Sequence, residues 1–329
     1  MRAVVIETTP GGTFLRLREV PDPSPGPADL LVRVRASALN RADLRRAAVH
    51  FKQSERAEAA AIAGLEMAGE VIGMGAEVSG FRMGDRVMAM TGAGYAEMVA
   101  IDHRLAIPVP APFTWAQAAA TPTVYVTAHD ALVSQGGLAE GQTVLIQGAS
   151  AGTGIAAVQI ARAWKAGRIF GTAGTDDKIA RLRALGCDTP IPYKTSDVAR
   201  VVRDGTQQRG VDLVLDLVGG GALSTNIAAV RIKGTIICVG RVGGSTDQIN
   251  LDEFARKRVT MVGTTFRTRT LEERAAVIRR FRDEMLPLFE SGAIAPVLDQ
   301  REYSFEQAEA AQAYMAENGQ FGKIVLHVQ

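Results

Sequence analysis

The chain has 329 residues and a formal net charge of +2, and 47% of its residues are hydrophobic and 22% charged. This composition is typical of a soluble globular protein with room for two domains. It argues against a dedicated nucleic-acid binder, which normally carries a strongly basic surface. No apolar run approaches the roughly 18 residues of a membrane span. The first residues lack the apolar core of a signal peptide, so a cytoplasmic location is expected.

The first part of the chain, residues 1–120, is rich in short β runs that glycine-containing turns separate. Short strands at this spacing predict a compact, barrel-like β domain. The predicted strands are 1–7, 30–37, 67–73, 85–90 and 96–101.

The predicted second domain spans residues 121–264, and after about residue 141 apolar strands alternate with amphipathic helices, a pattern that predicts a doubly wound parallel sheet. A capping-box sequence at Thr114–Gln117 precedes this region. The predicted strands are 143–147, 168–173, 189–192, 212–217, 234–240 and 259–264. The predicted helices are 152–165, 176–186, 196–204 and 221–231.

The tail, residues 265–329, combines a long helix with a closing strand. A capping box at Thr270–Glu273 begins the predicted helix 271–290, and a second capping box lies at Ser304–Gln307. The apolar run 323–328 predicts the last strand.

The two cysteines, Cys187 and Cys238, are far apart and belong to no metal-binding spacing. We therefore expect small apolar residues in the core, and neither a disulfide framework nor a four-cysteine zinc site.

The segment Gly148–Gly154 lies between a predicted strand and a predicted helix. A turn of small residues there lets backbone N–H groups and the helix N-terminus approach a pyrophosphate. Two of the three positions that are usually glycine are alanine, so a turn that binds nothing is the alternative. The predicted cofactor-binding residues of this loop are Ser150, Ala151, Gly152, Thr153 and Gly154.

The end of the next strand indicates which nicotinamide cofactor is used. An NAD enzyme places a carboxylate there for the ribose 2′-hydroxyl, about 20 residues beyond the loop, but this chain has Ala173. Gly174, Thr175 and Lys178 follow, which suits a 2′-phosphate, and Tyr193 after the third strand could add a hydroxyl. NADPH is therefore the predicted cofactor, with a solvated surface lysine as the alternative for Lys178.

A set of short motifs runs along nearly the whole chain: SALNRADL (37–44), GLEMAGE (64–70), GDRV (84–87), the 148–154 loop, AGT (173–175), DLVGG (216–220), TFRTR (265–269) and FGKIVL (321–326). Together they resemble the quinone oxidoreductases of the medium-chain dehydrogenase/reductase superfamily, the zeta-crystallin-like group. The resemblance implies an α/β fold with a GroES-like β-barrel catalytic domain, a Rossmann domain and a tail that returns to the first domain.

The resemblance also implies an enzyme without zinc. Zinc-containing members carry a cysteine near the position of Asn40 and a His-Glu pair where this chain has Leu65 and Glu66. Since a leucine cannot bind a metal, the predicted site has no Lewis acid to polarise an alcohol. Hydride transfer from NADPH to a quinone is therefore the expected activity. The alternatives are reduction of an activated alkene, such as an enal or enoyl group, and an NADPH-binding sensor or RNA-binding protein with little turnover.

Further site residues follow from the resemblance alone. Asn40 and Tyr125 are the candidate catalytic residues. Asn40, which is also a cofactor contact, could donate to a carbonyl or hydroxyl, with a turn residue as the alternative. Tyr125 could stack on the substrate or protonate it, or be a buried structural tyrosine. Thr127 is expected near the carboxamide. The other implied contacts are Gly240, Arg241, Val242, Phe266, Arg267, Thr268, Phe321, Gly322 and Lys323, the last six with ordinary packing as the alternative.

Segment 47–61 departs from the family pattern, because it is alanine-rich and charged where relatives have a proline- and glycine-rich loop beside the substrate. Phe51 is the candidate to replace the aromatic residue of that loop, and the identity of the small-molecule acceptor stays open. The family further implies a homodimer formed through the edge strand 259–264.

Overall fold

The computed structural model describes residues 1–9, 12–44 and 61–328. Nearly all of segment 47–61, including Phe51, lies outside the described residues. The chain forms two compact units, one of Met1–Val126 with Arg267–Gln329 and one of Thr127–Phe266. The sequence predicts the corresponding boundaries after residues 120 and 264.

The first unit begins with a β-rich segment. Its strands are β1 (Arg2–Thr9), β2 (Gly12–Glu19), β3 (Asp29–Ala38), β4 (Glu66–Met74), β5 (Arg86–Met90), β6 (Met98–Asp102) and β7 (Ile107–Pro108). Helix α1 (Trp115–Ala119) and helix α2 (Pro122–His129) follow. The predicted capping box is confirmed, since the Thr114 side chain accepts from the Gln117 N–H and the Gln117 side chain reaches back to the Thr114 backbone.

The second unit begins within α2 and continues through a π-helical turn, Asp130–Gln135. Strands and helices then alternate. They are β8 (Thr143–Gln147), α3 (Gly152–Ala163), β9 (Arg168–Ala173), α4 (Asp176–Ala184), β10 (Thr189–Pro192), α5 (Val198–Gly205), β11 (Val211–Asp216), α6 (Leu223–Ala229), β12 (Val230–Cys238), α7 (Leu251–Lys257) and β13 (Thr260–Gly263).

The strands of the second unit, a range described without gaps, form a six-stranded parallel sheet in the order β10-β9-β8-β11-β12-β13. The strand order reverses between β8 and β11. Strands covered by helices on both faces are apolar along most of their length, and β8 accordingly buries four consecutive residues, Val144–Gln147. The predicted parallel, doubly wound sheet is confirmed, and strands 143–147, 168–173 and 189–192 have the predicted bounds.

The tail contains α8 (Leu271–Glu290), β14 (Leu298–Ser304), α9 (Ala308–Ala316) and β15 (Lys323–His327). Strand β15 pairs with β3, so the tail completes the sheet of the first unit, whose order is β14-β15-β3-β4-β5-β7 with β6 also on β3. The core of this unit contains apolar residues from both segments, among them Val32 and Val34 on β3, Phe305 after β14 and Leu326 on β15.

Both cysteines are free. Cys187 is buried as expected, whereas Cys238 is only partly buried. Among the described residues, no helix is long and apolar enough to cross a membrane.

Candidate cofactor and active-site residues

The carboxyl ends of the parallel strands collect most of the predicted cofactor contacts at one edge of the second unit. Ligands of open α/β sheets bind at this edge, near the point where the strand order reverses. In this unit that point lies between β8 and β11. The predicted residues that follow these strand ends are Ser150, Ala151, Gly152, Thr153, Gly154, Gly174, Thr175, Lys178, Tyr193, Gly240, Arg241, Val242 and Phe266.

The loop after β8 has the geometry of an anion site. Helix α3 begins after Ala151, whose side chain makes no capping hydrogen bond, so the N–H groups of the first turn have no side-chain cap. A Cβ atom at Gly154 would lie 2.4 Å from the Gly148 carbonyl oxygen, so only glycine lets the helix start this close to the loop. These features fit the pyrophosphate of a dinucleotide.

The residues after β9 and β10 meet beside Gly174. A Cβ atom there would lie 3.2 Å from the Tyr193 hydroxyl and 3.4 Å from Cε of Lys194. Thr175 caps α4 by accepting a hydrogen bond from the Lys178 N–H. Lys194 is not among the contacts predicted from the sequence, although a cation directly after Tyr193 is a usable signal.

A chain of buried hydrogen bonds runs beneath this edge, across the ends of β9 and β8. The Gly148 N–H donates to the hydroxyl oxygen of Thr172 at 2.8 Å. The Thr172 hydroxyl in turn donates to Oε1 of Gln147 at 3.0 Å. The loop after β8 is thereby tied to the interior of the sheet.

The same chain continues to β11. Nε2 of Gln147 donates to Oδ1 of Asn226 at 2.8 Å, and Nδ2 of Asn226 donates to Oδ2 of Asp216 at 3.1 Å. The other Asp216 oxygen accepts the N–H groups of Val218 and Gly219 at 2.8 and 3.0 Å. Burial raises the pKa of Asp216, while these backbone donors act in the opposite direction. The loops that follow β8 and β11 are therefore held by one connected network.

Gly240 has a packing role within the protein that the sequence does not predict. A Cβ atom there would lie 1.8 Å from the carbonyl oxygen of Leu217, so the glycine is needed for close contact between two loops of the protein. Arg241 and Val242, which follow it, are exposed.

In the first unit, three polar side chains meet at the ends of adjacent strands. Asn40 follows β3, Glu66 begins β4 and Lys323 begins β15. Because β4 and β15 both run antiparallel to β3, their first residues lie beside its last ones. The Lys323 ammonium lies 2.6 Å from Oε1 of Glu66, and the two side chains are 6% and 0% exposed.

The Asn40 amide lies between these two charges. Lys323 Nζ donates to its Oδ1 at 2.7 Å, and its Nδ2 donates to Glu66 Oε1 at 2.8 Å. Nδ2 also lies 3.4 Å from the Ala38 carbonyl oxygen. Both N–H bonds of the amide are therefore directed at protein acceptors, while Oδ1 keeps a second lone pair. This geometry does not agree with the expectation that Asn40 donates a hydrogen bond to a substrate. Its Oδ1 atom is able to accept one instead.

Two further groups extend this cluster. One Asp43 oxygen, Oδ2, accepts the Asn40 backbone N–H at 2.7 Å and the Tyr95 hydroxyl at 3.1 Å. Burial raises the pKa of Asp43 to about 7 and that of Tyr95 above its usual value. Neither group is predicted as a site residue from the sequence.

Tyr125 does not have the surroundings of a proton donor. Its side chain is 1% exposed and packs edge-to-face on Phe289 with ring centroids 5.3 Å apart. Its hydroxyl donates to the Ala295 carbonyl oxygen at 3.1 Å. These contacts favour the alternative for Tyr125, a buried structural tyrosine. Thr127, two residues later, is partly exposed.

The tail residues predicted as cofactor contacts fall into a buried group and an exposed group. Phe321, Gly322 and Lys323 are buried, and the Phe321 N–H donates to Asp299 at 3.1 Å. Their internal contacts favour the packing alternative. Phe266 is the last residue of the second unit, whereas Arg267 and Thr268 belong to the first and are exposed.

Two family models match separate parts of the chain. The model of the alcohol dehydrogenase GroES-like domain matches residues 26–111, and that of the zinc-binding dehydrogenase family matches residues 152–283. Prostaglandin reductase-3 of Bos taurus is 34% identical over 275 residues, 83% of this chain and 69% of that protein.

Two solved structures match over almost the full length. An alcohol dehydrogenase superfamily protein from Novosphingobium aromaticivorans is 34% identical, with a TM-score of 0.87 and 100% of both chains covered. The quinone oxidoreductase of Pseudomonas syringae pv. Tomato DC3000 is 26% identical, with a TM-score of 0.88, covering 99% of this chain and 100% of that one.

The chain belongs to the zinc-free, quinone oxidoreductase-like branch of the medium-chain dehydrogenase/reductase superfamily. The predicted family and fold class are confirmed, and the protein is an oxidoreductase that uses a nicotinamide cofactor. The local chemistry agrees with the zinc-free assignment, because Leu65 offers no ligand atom and the Glu66 carboxylate is already neutralised by Lys323.

Proposed function

We propose that the protein transfers hydride from NADPH to a small conjugated acceptor, with a quinone as the first candidate. NADPH is supported by the residues that surround Gly174, at the carboxyl edge of the six-stranded sheet. The preceding strand ends in Ala173 and not in a carboxylate, and Tyr193 and Lys194 lie next to the glycine. A hydroxyl and an ammonium suit the 2′-phosphate that distinguishes NADPH from NADH, and Lys178 lies in the first turn of the following helix.

The acceptor class is inferred from the surroundings of Glu66. In the position where zinc-containing relatives hold their metal, this chain has an ammonium group bonded to a carboxylate and an amide. Such a group does not polarise a substrate oxygen as a Lewis acid would. A quinone or an α,β-unsaturated carbonyl suits this arrangement, since conjugation already makes it electrophilic. The bound nicotinamide supplies the hydride, and the protein orients the reactants and excludes water.

Reduction of an activated alkene is the second candidate. The relative named prostaglandin reductase-3 is 34% identical, whereas the structure titled quinone oxidoreductase is 26% identical. The higher identity supports enals and enones as candidate substrates.

The cofactor proposal is tested by fluorescence titration with NADPH and NADH. We expect NADPH to bind at least about tenfold more tightly, a difference of ~1.4 kcal/mol. Lys194→Ala and Lys178→Ala should each weaken the binding of NADPH but not of NADH. Each variant should therefore show a smaller difference between the two affinities. Arg209→Ala is the control, because Arg209 is exposed and precedes β11 at the opposite edge of the sheet. Equal affinities of the unmodified protein for the two cofactors would refute the proposal.

The acceptor is tested by following NADPH oxidation with a para-quinone and with a small enone. Turnover of the quinone supports the first candidate, and turnover of the enone alone supports the second. If NADPH binds tightly but neither acceptor is reduced, the hypothesis of a sensor with little turnover is favoured.

We further propose a homodimer formed through β13, the last strand at one edge of the six-stranded sheet. Three of its four residues are exposed, and Met261 keeps 38% of its surface. An exposed, apolar strand edge is suited to pairing with a second copy.

A further inference from the structure

We infer that Glu66 and Lys323 are positioning residues whose paired charges fix the orientation of the Asn40 amide. The inference rests on the proposed function for its kinetic consequence, since Asn40 is proposed to lie beside the reactants. Its structural basis lies entirely within the first unit.

Electrostatics permit only one orientation of this amide. In the observed orientation the Asn40 oxygen faces the ammonium at 2.7 Å and the amide nitrogen faces the carboxylate at 2.8 Å. Rotation of the amide by 180° would place its NH2 group against the ammonium and its oxygen against the carboxylate. Both contacts would then be repulsive, in buried surroundings where charge-assisted hydrogen bonds are strong.

The two charges are themselves held in place. Lys323 Nζ also donates to the Leu39 carbonyl oxygen. The second oxygen of Glu66 accepts the Thr123 backbone N–H at 2.7 Å. A buried ion pair with these additional hydrogen bonds has a defined geometry, although it need not stabilise the fold more than an apolar pair would. The arrangement is therefore suited to set an orientation.

The first unit contains a second ion pair that does not contact the Asn40 amide. Arg35 on β3 and Glu70 on β4 form an ion pair at 2.6 Å, and their side chains are 39% and 33% exposed. The pair joins β3, which precedes Asn40, to β4, which begins at Glu66, so it serves as a control for loss of charge on these strands.

The orientation can be measured without a substrate. The sequence has four asparagines, so 15N-asparagine labelling of the full-length protein gives four side-chain amides. The Asn40 signals are identified by their loss in Asn40→Ala. We expect two separate Asn40 proton signals whose exchange with water is at least about tenfold slower than that of exposed Asn250, because both N–H bonds have protein acceptors. Exchange as fast as that of Asn250 in the unmodified protein would overturn the inference.

The double variant Glu66→Gln/Lys323→Met removes both charges with little change of volume. We expect faster exchange of the Asn40 amide, and kcat lower by about tenfold to a hundredfold with a KM for NADPH within about twofold. Asn40→Ala should then add nothing further in this background. Arg35→Met/Glu70→Gln should change neither the Asn40 signals nor kcat. Unchanged Asn40 exchange and kcat in the first double variant would contradict the inference.

A second variant covers the case in which the first double variant does not fold. Lys323→Arg keeps the positive charge and should retain the slow Asn40 exchange, whereas fast exchange in a folded Lys323→Arg protein would count against the inference. The amide measurement needs no turnover, so failure of the proposed function would leave its outcome intact. Conversely, an active enzyme with a freely exchanging Asn40 amide would reject the inference alone.

Discussion

Asp43 shows how enclosure of a single residue changes its protonation. Its Oδ2 atom accepts two hydrogen bonds, from the Asn40 backbone and from Tyr95. These donors and the Lys323 charge favour the ionised carboxyl, but burial has the larger effect and raises the pKa to about 7. The negative charge of Glu66 acts in the same direction as burial. The carboxyl therefore takes up a proton near neutral pH.

This raised pKa predicts how stability depends on pH. In the unfolded chain the carboxyl ionises near pH 4, so between about pH 4 and 7 the folded state binds the extra proton. Its stabilising contribution is full below pH 4 and is lost as the pH rises through about 7. Compared with Asp43→Asn, which cannot ionise, the natural protein should lose on the order of 2 kcal/mol of unfolding free energy between pH 5 and 8. Urea unfolding of both proteins at the two pH values measures the difference, and a difference independent of pH would contradict the prediction.

At the same scale, sequence motifs predict candidate site residues, but they do not predict which residues these side chains contact. Asn40 was identified through its motif, but its partner Lys323 lies 283 residues further along the chain. Only the pairing of β15 with β3 brings the two together. For Tyr125, the aromatic neighbour Phe289 lies on the distant helix α8. Contacts of this kind depend on tertiary packing, which local sequence patterns do not encode.

At the scale of elements, two features lie at the carboxyl edge of the second unit. The first turn of α3 has backbone N–H groups without a side-chain cap, and a chain of buried side-chain hydrogen bonds supports the loops beside it. Thr172 and Gln147 end neighbouring strands, and Asn226 on α6 connects them to Asp216. Each member donates to the next, so the chain ends on a charged acceptor. Such networks fix the geometry of the loops they support, provided that every member is satisfied.

Thr172→Val tests whether this network supports cofactor binding. The variant keeps the volume but leaves the Gly148 N–H and Gln147 Oε1 without their partner. We expect the unfolding free energy to fall by about 1–3 kcal/mol, and the Kd for NADPH to rise by about tenfold, as measured by fluorescence titration. Thr172→Ser keeps the hydroxyl and should restore the affinity.

A second buried threonine provides a matched control for this change. The Thr206 hydroxyl donates to the Val202 carbonyl oxygen and accepts the Gly210 N–H, but it lies before β11, at the amino edge of the sheet. Thr206→Val should lower stability to a similar degree without changing the NADPH affinity. If both variants weaken NADPH binding equally, general destabilisation and not the network is responsible.

Elements buried on both faces were predicted better than those at the surface. Strands β8, β9 and β10 have continuous apolar stretches and were predicted with correct bounds. Strands β2, β7 and β14 and helix α7 are not predicted from the sequence. Strand β14 (LDQREYS) has few apolar residues and lies at the edge of its sheet, and α7 is only seven residues long. Partly exposed or short elements give weak periodic patterns, because burial selects few of their residues.

At the scale of the whole molecule, the chain leaves the first unit after Val126 and re-enters it at Arg267. The second unit is therefore an insertion with a parallel sheet of its own, and the two edges of that sheet differ. Strand β10 carries Pro190 and Pro192, which have no N–H group to donate. Strand β13 at the other edge has no proline and exposes Met261. Only the β13 edge is thus suited to extend the sheet by pairing with a second copy.

Met261→Lys tests this arrangement. A lysine on an edge strand opposes pairing, since two like charges would approach each other across the interface. In size-exclusion chromatography with light scattering, we expect the natural protein at about twice the chain mass of 34.9 kDa and the variant at the mass of one chain. Met83→Lys is the matched control, because Met83 is 57% exposed and belongs to the first unit. That variant should remain a dimer. A natural protein with the mass of one chain, or a dimeric Met261→Lys, would rule out pairing through β13.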